Sequence, residues 1–116
     1  MLPGGCKAAH TYSENPQVQG LLKEFQAKDK LVAAICASAL AIHAADIFTG
    51  RRLTSYPSLR SQVEDKYDYQ EESVVIDKNL ITSRGPATAL RFALTIVQYL
   101  SGSEASEKVA KDMLYM

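Results

Sequence analysis

The pattern of apolar and polar positions predicts alternating helices and strands, with one buried strand near the middle of the chain. Leu31 to Ile35 forms an unbroken apolar run directly after the charged segment Lys28 to Lys30. Such a run is typical of a strand in a parallel sheet that is covered on both faces. Mostly small, helix-favouring residues follow from Ala37 to Ala45. Cys36 is therefore predicted to lie at a strand-to-helix junction, where ligands bind in open α/β sheets and where nucleophile elbows form.

The segment before this strand predicts a glycine turn and a helix. Met1 to Gly5 is interpreted as the tail of a strand that ends in a Gly-Gly turn, and Cys6 and His10 are placed in the loop that follows. Asn15 and Pro16 then supply an N-cap and a first helical residue. The helix that begins there carries one apolar stripe, made of Val18, Leu21, Leu22 and Phe25.

The segment after the junction predicts a short strand, a polar helix and a hairpin. The strand is expected from Arg51 to Tyr56, with the Arg51-Arg52 pair in a solvated turn rather than an anion site. The polar helix is expected from about Ser58 to Lys66, after a proline. Ser73 to Asp77 and Leu80 to Ser83 are two β-rich runs on either side of a two-residue turn, which predicts a hairpin.

Two helices are predicted after the hairpin. Ala87 to Leu100 is apolar on two faces, so a neighbouring element or a partner subunit is expected to cover the second face. Ala105 to Met113 predicts a final amphipathic helix.

Length, charge and cysteine content exclude several classes of protein. A length of 116 residues predicts one domain over residues 1–116. Thirteen basic and thirteen acidic residues cancel, so electrostatic binding to nucleic acid or to an anionic membrane is not expected. The longest apolar run is far too short for a membrane span, and the first residues do not form a signal peptide. Two cysteines without zinc-ligand spacing predict no metal site and a cytoplasmic protein.

Four linked motifs carry a family resemblance that covers essentially the whole chain. In order they are Leu2-Pro3-Gly4-Gly5, Ala33-Ala34-Ile35-Cys36-Ala37, Thr54-Ser55-Tyr56-Pro57 and Leu80-Ile81-Thr82-Ser83-Arg84-Gly85-Pro86. Their order and spacing resemble the ThiJ/PfpI superfamily, in particular the branch of Parkinson disease protein seven and its bacterial relatives. Any one of the motifs alone would be a weak signal.

The resemblance implies a fold and a site. The fold would be a flavodoxin-like (Rossmann-like) α/β three-layer sandwich with a mostly parallel sheet, usually as a homodimer. Cys36 would be the reactive cysteine. The pocket around it would be formed by the backbone of Gly4, Gly5 and Ala37, which binds an oxyanion, and by Tyr56, Ser83 and Arg84. From the residues alone, a buried and inert Cys36 and an ordinary Gly-Gly loop remain open alternatives.

The sequence departs from the family pattern in ways that bear on the chemistry. The family fold begins with a strand, a helix and further strands ahead of the Pro-Gly-Gly turn, so this chain is expected to correspond to the C-terminal two-thirds of that fold. The preceding family segment carries a catalytic glutamate, and no residue here is assigned that role. Many members have histidine where Tyr56 stands; tyrosine donates a hydrogen bond but does not shuttle protons near neutral pH. Ala37 stands where peptidase-like relatives carry histidine.

Two functions from different classes follow from the resemblance. As a glutathione-independent glyoxalase or protein deglycase, the chain would use the Cys36 thiolate to convert methylglyoxal-type dicarbonyls to hydroxy acids, with no cofactor. As a non-enzymatic oxidative-stress sensor or redox-regulated chaperone, it would work through oxidation of Cys36. A helix amino terminus stabilises an anion by only about 0.3–1 kcal/mol, so a moderately reactive thiol is predicted. The expected partners are a small dicarbonyl substrate and a second copy or an upstream N-terminal segment, with no nucleic acid and no membrane.

Overall fold

A fully buried central strand organises the computed structural model, which describes residues 1–115. This strand, β1 (Val32–Ile35), pairs in parallel with β5 (Leu80–Ser83), and β5 pairs in antiparallel fashion with β4 (Val74–Asp77). The predicted central strand and hairpin are therefore confirmed. Leu2 forms a parallel bridge with Ala34 along the other edge of β1.

Helices and a second small sheet complete the described part of the chain. The second sheet pairs β2 (Arg52–Leu53) in parallel with β3 (Asp68–Tyr69). The helices are α1 (Cys6–Glu14), α2 (Pro16–Ala27), α3 (Ala39–Ala45), α4 (Arg60–Val63), α5 (Ala89–Ser101) and α6 (Ser103–Asp112). Short 3₁₀ turns precede α3, α4 and α5. The side chain of Asn15 accepts hydrogen bonds from the first turn of α2, which confirms it as the N-cap.

The residues of β1 alternate between two cores, so helices cover both faces of the sheet. Val32 and Ala34 belong to the larger core, together with buried residues of α2 and α3. Ala33 and Ile35 lie on the opposite face, in a smaller core that includes Phe92 of α5. This arrangement of helices, sheet and helix confirms the three-layer α/β sandwich.

Helix α5 also meets a neighbour on its second face, as its apolar pattern predicts. Phe92 packs towards the sheet, while Leu94 is buried on another side. Ser106 of α6 donates its hydroxyl to the carbonyl oxygen of Leu94 at 2.9 Å. The covering element is therefore α6. No helix within residues 1–115 is both long and apolar enough to cross a membrane.

Three predictions of local secondary structure are corrected, one in type and two in extent. Cys6 and His10 lie in α1 rather than in a loop. Ala9 is the buried residue of that helix, so α1 lacks the broad apolar stripe by which a helix is recognised. The strand expected from Arg51 to Tyr56 is limited to the two residues of β2. The predicted polar helix is divided into a 3₁₀ turn at Pro57–Leu59 and the single turn of α4.

The Arg51-Arg52 pair connects β2 to the hairpin through hydrogen bonds, whereas the sequence predicts a solvated turn. Arg51 donates through Nη1 to the side-chain oxygen of Asn79 at 2.8 Å and to the carbonyl oxygen of Asp77 at 3.2 Å. Arg52 donates through Nη2 to the carbonyl oxygen of Ile76 at 2.8 Å. Both guanidinium groups thus satisfy carbonyl oxygens near the end of β4.

Candidate active site

Cys36 lies at a sharp turn where β1 ends and a 3₁₀ turn, Cys36–Ser38, leads into α3. Its φ is 63°, in the left-handed region. An L-residue adopts that region at a cost of about 1–2 kcal/mol, so such a conformation persists only where the surrounding structure imposes it. A residue with positive φ between a strand and a helical turn has the backbone geometry of a nucleophile elbow.

The Pro-Gly-Gly segment lies directly against this turn. A Cβ at Gly4 would lie 3.0 Å from Cβ of Cys36, closer than ordinary van der Waals contact, so glycine at this position allows the close approach without a shift of either segment. The hydroxyl of Ser38 donates to the carbonyl oxygen of Pro3. Gly5, with a φ of 105°, then turns the chain into α1. The structure therefore brings Gly4, Gly5 and Cys36 together, as the motif resemblance implies.

The segment around Tyr56 holds the turn from another side. The backbone N–H of Tyr56 donates to the carbonyl oxygen of Cys36 at 3.1 Å. The Tyr56 side chain is 46% exposed, and its ring lies beside Gly85, 3.8 Å from where a Cβ of that residue would stand. Tyr56 thus contacts the Cys36 turn through its backbone and the Gly-Pro turn through its ring.

A cleft of about 230 Å³ opens over Cys36. It is lined by Gly4, Gly5, Ile35, Cys36, Gly85, Pro86 and Ala89. Among these lining residues the thiol is the one ionisable group, so the cleft offers glycine backbone, apolar surface and sulfur. Cys36 itself is half-buried, whereas Cys6 is exposed at the start of α1. Within residues 1–115 no three His, Cys, Asp or Glu side chains are grouped so that they would hold a metal ion.

Ala37 and Ser83 are buried beside the cleft. Ala37 follows Cys36 in the 3₁₀ turn and is 1% exposed. The hydroxyl of Ser83 donates to the carbonyl oxygen of Ser73 at 2.6 Å and lies 2.7 Å from the hydroxyl of Thr88. Ser83 therefore ties the end of β5 to the start of the next helical turn, and its hydroxyl is occupied by these contacts.

Arg84 is not among the residues that line the cleft, and it joins a partly buried hydrogen-bond network for which the sequence gives no signal. Its Nε donates to the carbonyl oxygen of Ser55 at 3.1 Å, and its Nη2 donates to the hydroxyl of Tyr69 at 3.2 Å. The Tyr69 hydroxyl in turn donates to the same Ser55 carbonyl at 3.2 Å. Burial by itself would raise the pKa of Tyr69, but hydrogen bonds with Ser55 and Arg84 and the charge of Arg84 lower that pKa below its usual value.

Comparison with known proteins identifies the family. The sequence profile of the DJ-1/PfpI family matches residues 1–99. The chain belongs to the DJ-1/PfpI family. The resemblance that the four motifs carry is thereby confirmed.

Several DJ-1 proteins are similar to this family member in sequence and structure. Protein dj-1beta of Drosophila melanogaster is 41% identical over 115 residues, which are 98% of this chain and 62% of the relative. The crystal structure of Drosophila melanogaster DJ-1beta matches with a TM-score of 0.95 at 40% identity, covering 97% of this chain and 61% of that one. The flavodoxin-like fold class is confirmed by this match.

Two further relatives carry names or descriptions that bear on chemistry. The Schizosaccharomyces pombe protein named glutathione-independent glyoxalase DJ-1 is 36% identical over 97% of this chain and 60% of the relative. The structure of oxidized Toxoplasma gondii DJ-1 matches with a TM-score of 0.89 at 32% identity, covering 97% of this chain and 61% of that one. The DJ-1/PfpI chain described here thus spans less than two-thirds of the length of these relatives.

Proposed function

We propose that this DJ-1/PfpI chain carries the nucleophile of a glutathione-independent glyoxalase or protein deglycase, and that Cys36 is that nucleophile. The observation that carries the proposal is the position of Cys36, at positive φ on a strand-to-helix turn beneath a glycine-walled cleft. The relative named glutathione-independent glyoxalase supports the same class of reaction.

The reaction begins when the Cys36 thiolate attacks the aldehyde carbon of a small dicarbonyl such as methylglyoxal. A carbon–sulfur bond forms, and the carbonyl π electrons move to the oxygen, which becomes the hydroxyl of a hemithioacetal after protonation. The backbone amides around Gly4, Gly5 and Ala37 are suited to hydrogen-bond that oxygen while it is negatively charged. The glycines at this position leave room for a substrate to approach the amides closely.

In the next step a base removes the proton from the hemithioacetal carbon and returns it to the neighbouring carbon, while the hydroxyl proton passes to the neighbouring carbonyl oxygen. The product is a thioester of a hydroxy acid. Water then hydrolyses the thioester, releases the hydroxy acid and restores the thiol. The cleft lining within residues 1–115 holds no ionisable group other than the thiol. We therefore assign the base to a partner of this C-terminal two-thirds of the fold, a second copy or an upstream N-terminal segment. Tyr56 is suited to donate a hydrogen bond to the bound substrate.

The test is the production of lactate from methylglyoxal in the absence of glutathione. The parent chain, Cys36→Ser and Cys6→Ser are compared at equal concentration. We expect lactate from the parent and from Cys6→Ser, and none from Cys36→Ser. A Cys36→Ser variant that retains the activity contradicts the glyoxalase proposal. If the parent chain forms no lactate at concentrations at which it self-associates, a second copy does not supply the base, and the assignment falls to the upstream segment.

A second function, the sensing of oxidants through Cys36, is favoured by the composition of the cleft. Oxidation of a thiolate to a sulfenate and then a sulfinate needs no general base, and the described cleft lining offers none. The relative whose structure is described as oxidized supports this alternative. Two free cysteines fit the reducing cytoplasm, in which we place the protein.

Exposure to hydrogen peroxide followed by peptide mass spectrometry tests the sensor function. One or two oxygen atoms are expected on the peptide that contains Cys36, at peroxide concentrations that leave Cys6 unmodified. Oxidation that begins at Cys6, the more exposed thiol, would contradict this role for Cys36.

A further inference from the structure

We infer that Tyr69 and Arg84 are positioning residues for Cys36, and that they act through the single peptide group that joins Ser55 to Tyr56. The inference rests on Cys36 being the reactive thiol of the proposed function, but it does not depend on the glyoxalase reaction. It concerns how the backbone at Cys36 is kept in a conformation that an L-residue otherwise avoids.

The Ser55–Tyr56 peptide group is hydrogen-bonded at both of its ends. Its oxygen, the Ser55 carbonyl, accepts from Nε of Arg84 at 3.1 Å and from the Tyr69 hydroxyl at 3.2 Å. Its N–H, which belongs to Tyr56, donates to the carbonyl oxygen of Cys36 at 3.1 Å. Because a peptide group is planar, fixing the direction of the oxygen also fixes the direction of the N–H.

The same bonds strengthen the contact to Cys36 electrostatically. Hydrogen bonds that a carbonyl oxygen accepts polarise the peptide group, and its N–H then becomes a better donor. One of the two donors is the charged guanidinium of Arg84, and charge-assisted hydrogen bonds are stronger than neutral ones. Ser55 is fully buried, so its carbonyl oxygen is shielded from water, while the donors Arg84 and Tyr69 are partly buried.

The hydrogen bond from the Tyr56 N–H constrains the backbone of Cys36, the residue with the strained φ. Pairing with β5 fixes β1 up to Ile35, which stands opposite Ser83. The hydrogen bond from Tyr56 fixes the carbonyl that directly follows the Cα atom of Cys36. The backbone is thus held on both sides of Cys36, and rotation to a relaxed, negative φ would break the second contact.

Further contacts hold the members of the network together. The Ser55 hydroxyl lies 3.0 Å from the Tyr69 hydroxyl. The guanidinium groups of Arg60 and Arg84 lie 5.2 Å and 5.8 Å from the centre of the Tyr69 ring, within the range of cation–π attraction. Arg84 directly follows β5, the strand that pairs with β1. The positioning group is therefore anchored to the sheet that carries Cys36.

A pair of tyrosine variants tests the inference. Tyr69→Phe removes the hydroxyl that bonds the Ser55 carbonyl and leaves the ring in place. Tyr67→Phe is the matched control, because its buried hydroxyl donates to the carbonyl oxygens of Ile47 at 2.7 Å and Ile42 at 3.1 Å, outside the network. Two quantities are measured in each chain: the rate at which iodoacetamide alkylates Cys36, and the rate of hydrogen exchange at the Tyr56 amide.

In Tyr69→Phe we expect alkylation of Cys36 to slow by about threefold to tenfold and exchange at the Tyr56 amide to accelerate by a similar factor, the effect of one lost hydrogen bond. Arg84→Lys, which keeps the charge but loses the planar fork, is expected to change both rates in the same direction. Tyr67→Phe is expected to leave both rates unchanged.

The result that overturns the inference is a Tyr69→Phe variant with wild-type rates. Equal changes in Tyr69→Phe and Tyr67→Phe overturn it as well, because the rates would then follow general stability. Neither measurement uses methylglyoxal, so a Cys36→Ser variant that retains glyoxalase activity refutes the glyoxalase proposal and leaves the expected rates as a separate test of the inference.

Discussion

The backbone N–H of Tyr56 donates to the carbonyl oxygen of Cys36 at 3.1 Å. This contact joins the third of the four sequence motifs to the second. The first motif reaches the same turn through Gly4, whose backbone lies against Cys36. A left-handed residue at a strand end is thus held by segments far from it in sequence, which accounts for the persistence of its strained φ.

The close approach of Gly4 to Cys36 predicts that Gly4→Ala destabilises the chain by about 1–3 kcal/mol. The new methyl group would lie 3.0 Å from Cβ of Cys36, and both backbones are tied to β1. Urea unfolding measures the loss. Gly20→Ala is the matched control, since no heavy atom lies within 4 Å of its Cβ position in α2, and it is expected to stabilise by about 0.5–1 kcal/mol. Equal stability of Gly4→Ala and wild type would contradict this packing.

The two buried threonines Thr54 and Thr82 predict opposite responses to the same substitution. Within residues 1–115 the Thr54 hydroxyl has no hydrogen-bond partner, so Thr54→Val is expected to be neutral or stabilising by up to about 1 kcal/mol. The Thr82 hydroxyl accepts from the N–H of Thr54 at 2.9 Å. Thr82→Val leaves that buried N–H without an acceptor and is expected to cost about 1–3 kcal/mol.

Thermal or urea unfolding of both valine variants measures this difference. A cost for Thr54→Val as large as that for Thr82→Val would show that the Thr54 hydroxyl is hydrogen-bonded in solution. The pair is matched, because both residues are fully buried and lose one hydroxyl for one methyl group.

The contact between His43 and Asp65 predicts a pH dependence of stability. A hydrogen bond from His43, at 2.9 Å, holds the pKa of the Asp65 carboxyl below its usual value of 3.8. The unfolded chain therefore takes up a proton at this residue at a higher pH than the folded chain does. The stabilisation by this carboxyl is complete above its unfolded pKa and is lost as the pH falls through the lower, folded pKa.

The expected consequence is that wild type loses more stability than Asp65→Asn as the pH falls below about 4. Urea midpoints at a series of pH values give the comparison. Parallel curves for the two chains across that range would show that Asp65 is not linked to folding.

The elements that the sequence predicts well are those with a strong local pattern. The apolar run of β1 and the β-branched residues of β4 and β5 identify the strands from their own residues. Helix α1 lacks such a pattern, because Ala9 is its buried residue. The two residues of β3 are too few to show any periodicity, and their pairing with β2 depends on the tertiary fold.

In the candidate site, too, some residues can be predicted from the sequence and others cannot. The positions of Cys36 and of the glycines can be predicted, because each of these residues lies in one of the four sequence motifs. The network around the Ser55 carbonyl has no such signal. Ser55 is separated from Tyr69 by 14 residues and from Arg84 by 29, and their meeting at one peptide oxygen is set by how the two sheets pack. The pattern therefore predicts the turn that carries Cys36 but not the hydrogen-bond network beside it.

The most direct test of the central claim, that the fold makes Cys36 the reactive nucleophile, is a competition between the two cysteines of one chain. The folded chain is treated with less than one equivalent of iodoacetamide, and the label on Cys36 and on Cys6 is counted by peptide mass spectrometry. We predict that Cys36 is labelled several-fold faster than Cys6, although Cys6 is the more exposed, and that the preference disappears in concentrated urea. Labelling of Cys6 at an equal or higher rate in the folded chain would contradict the account.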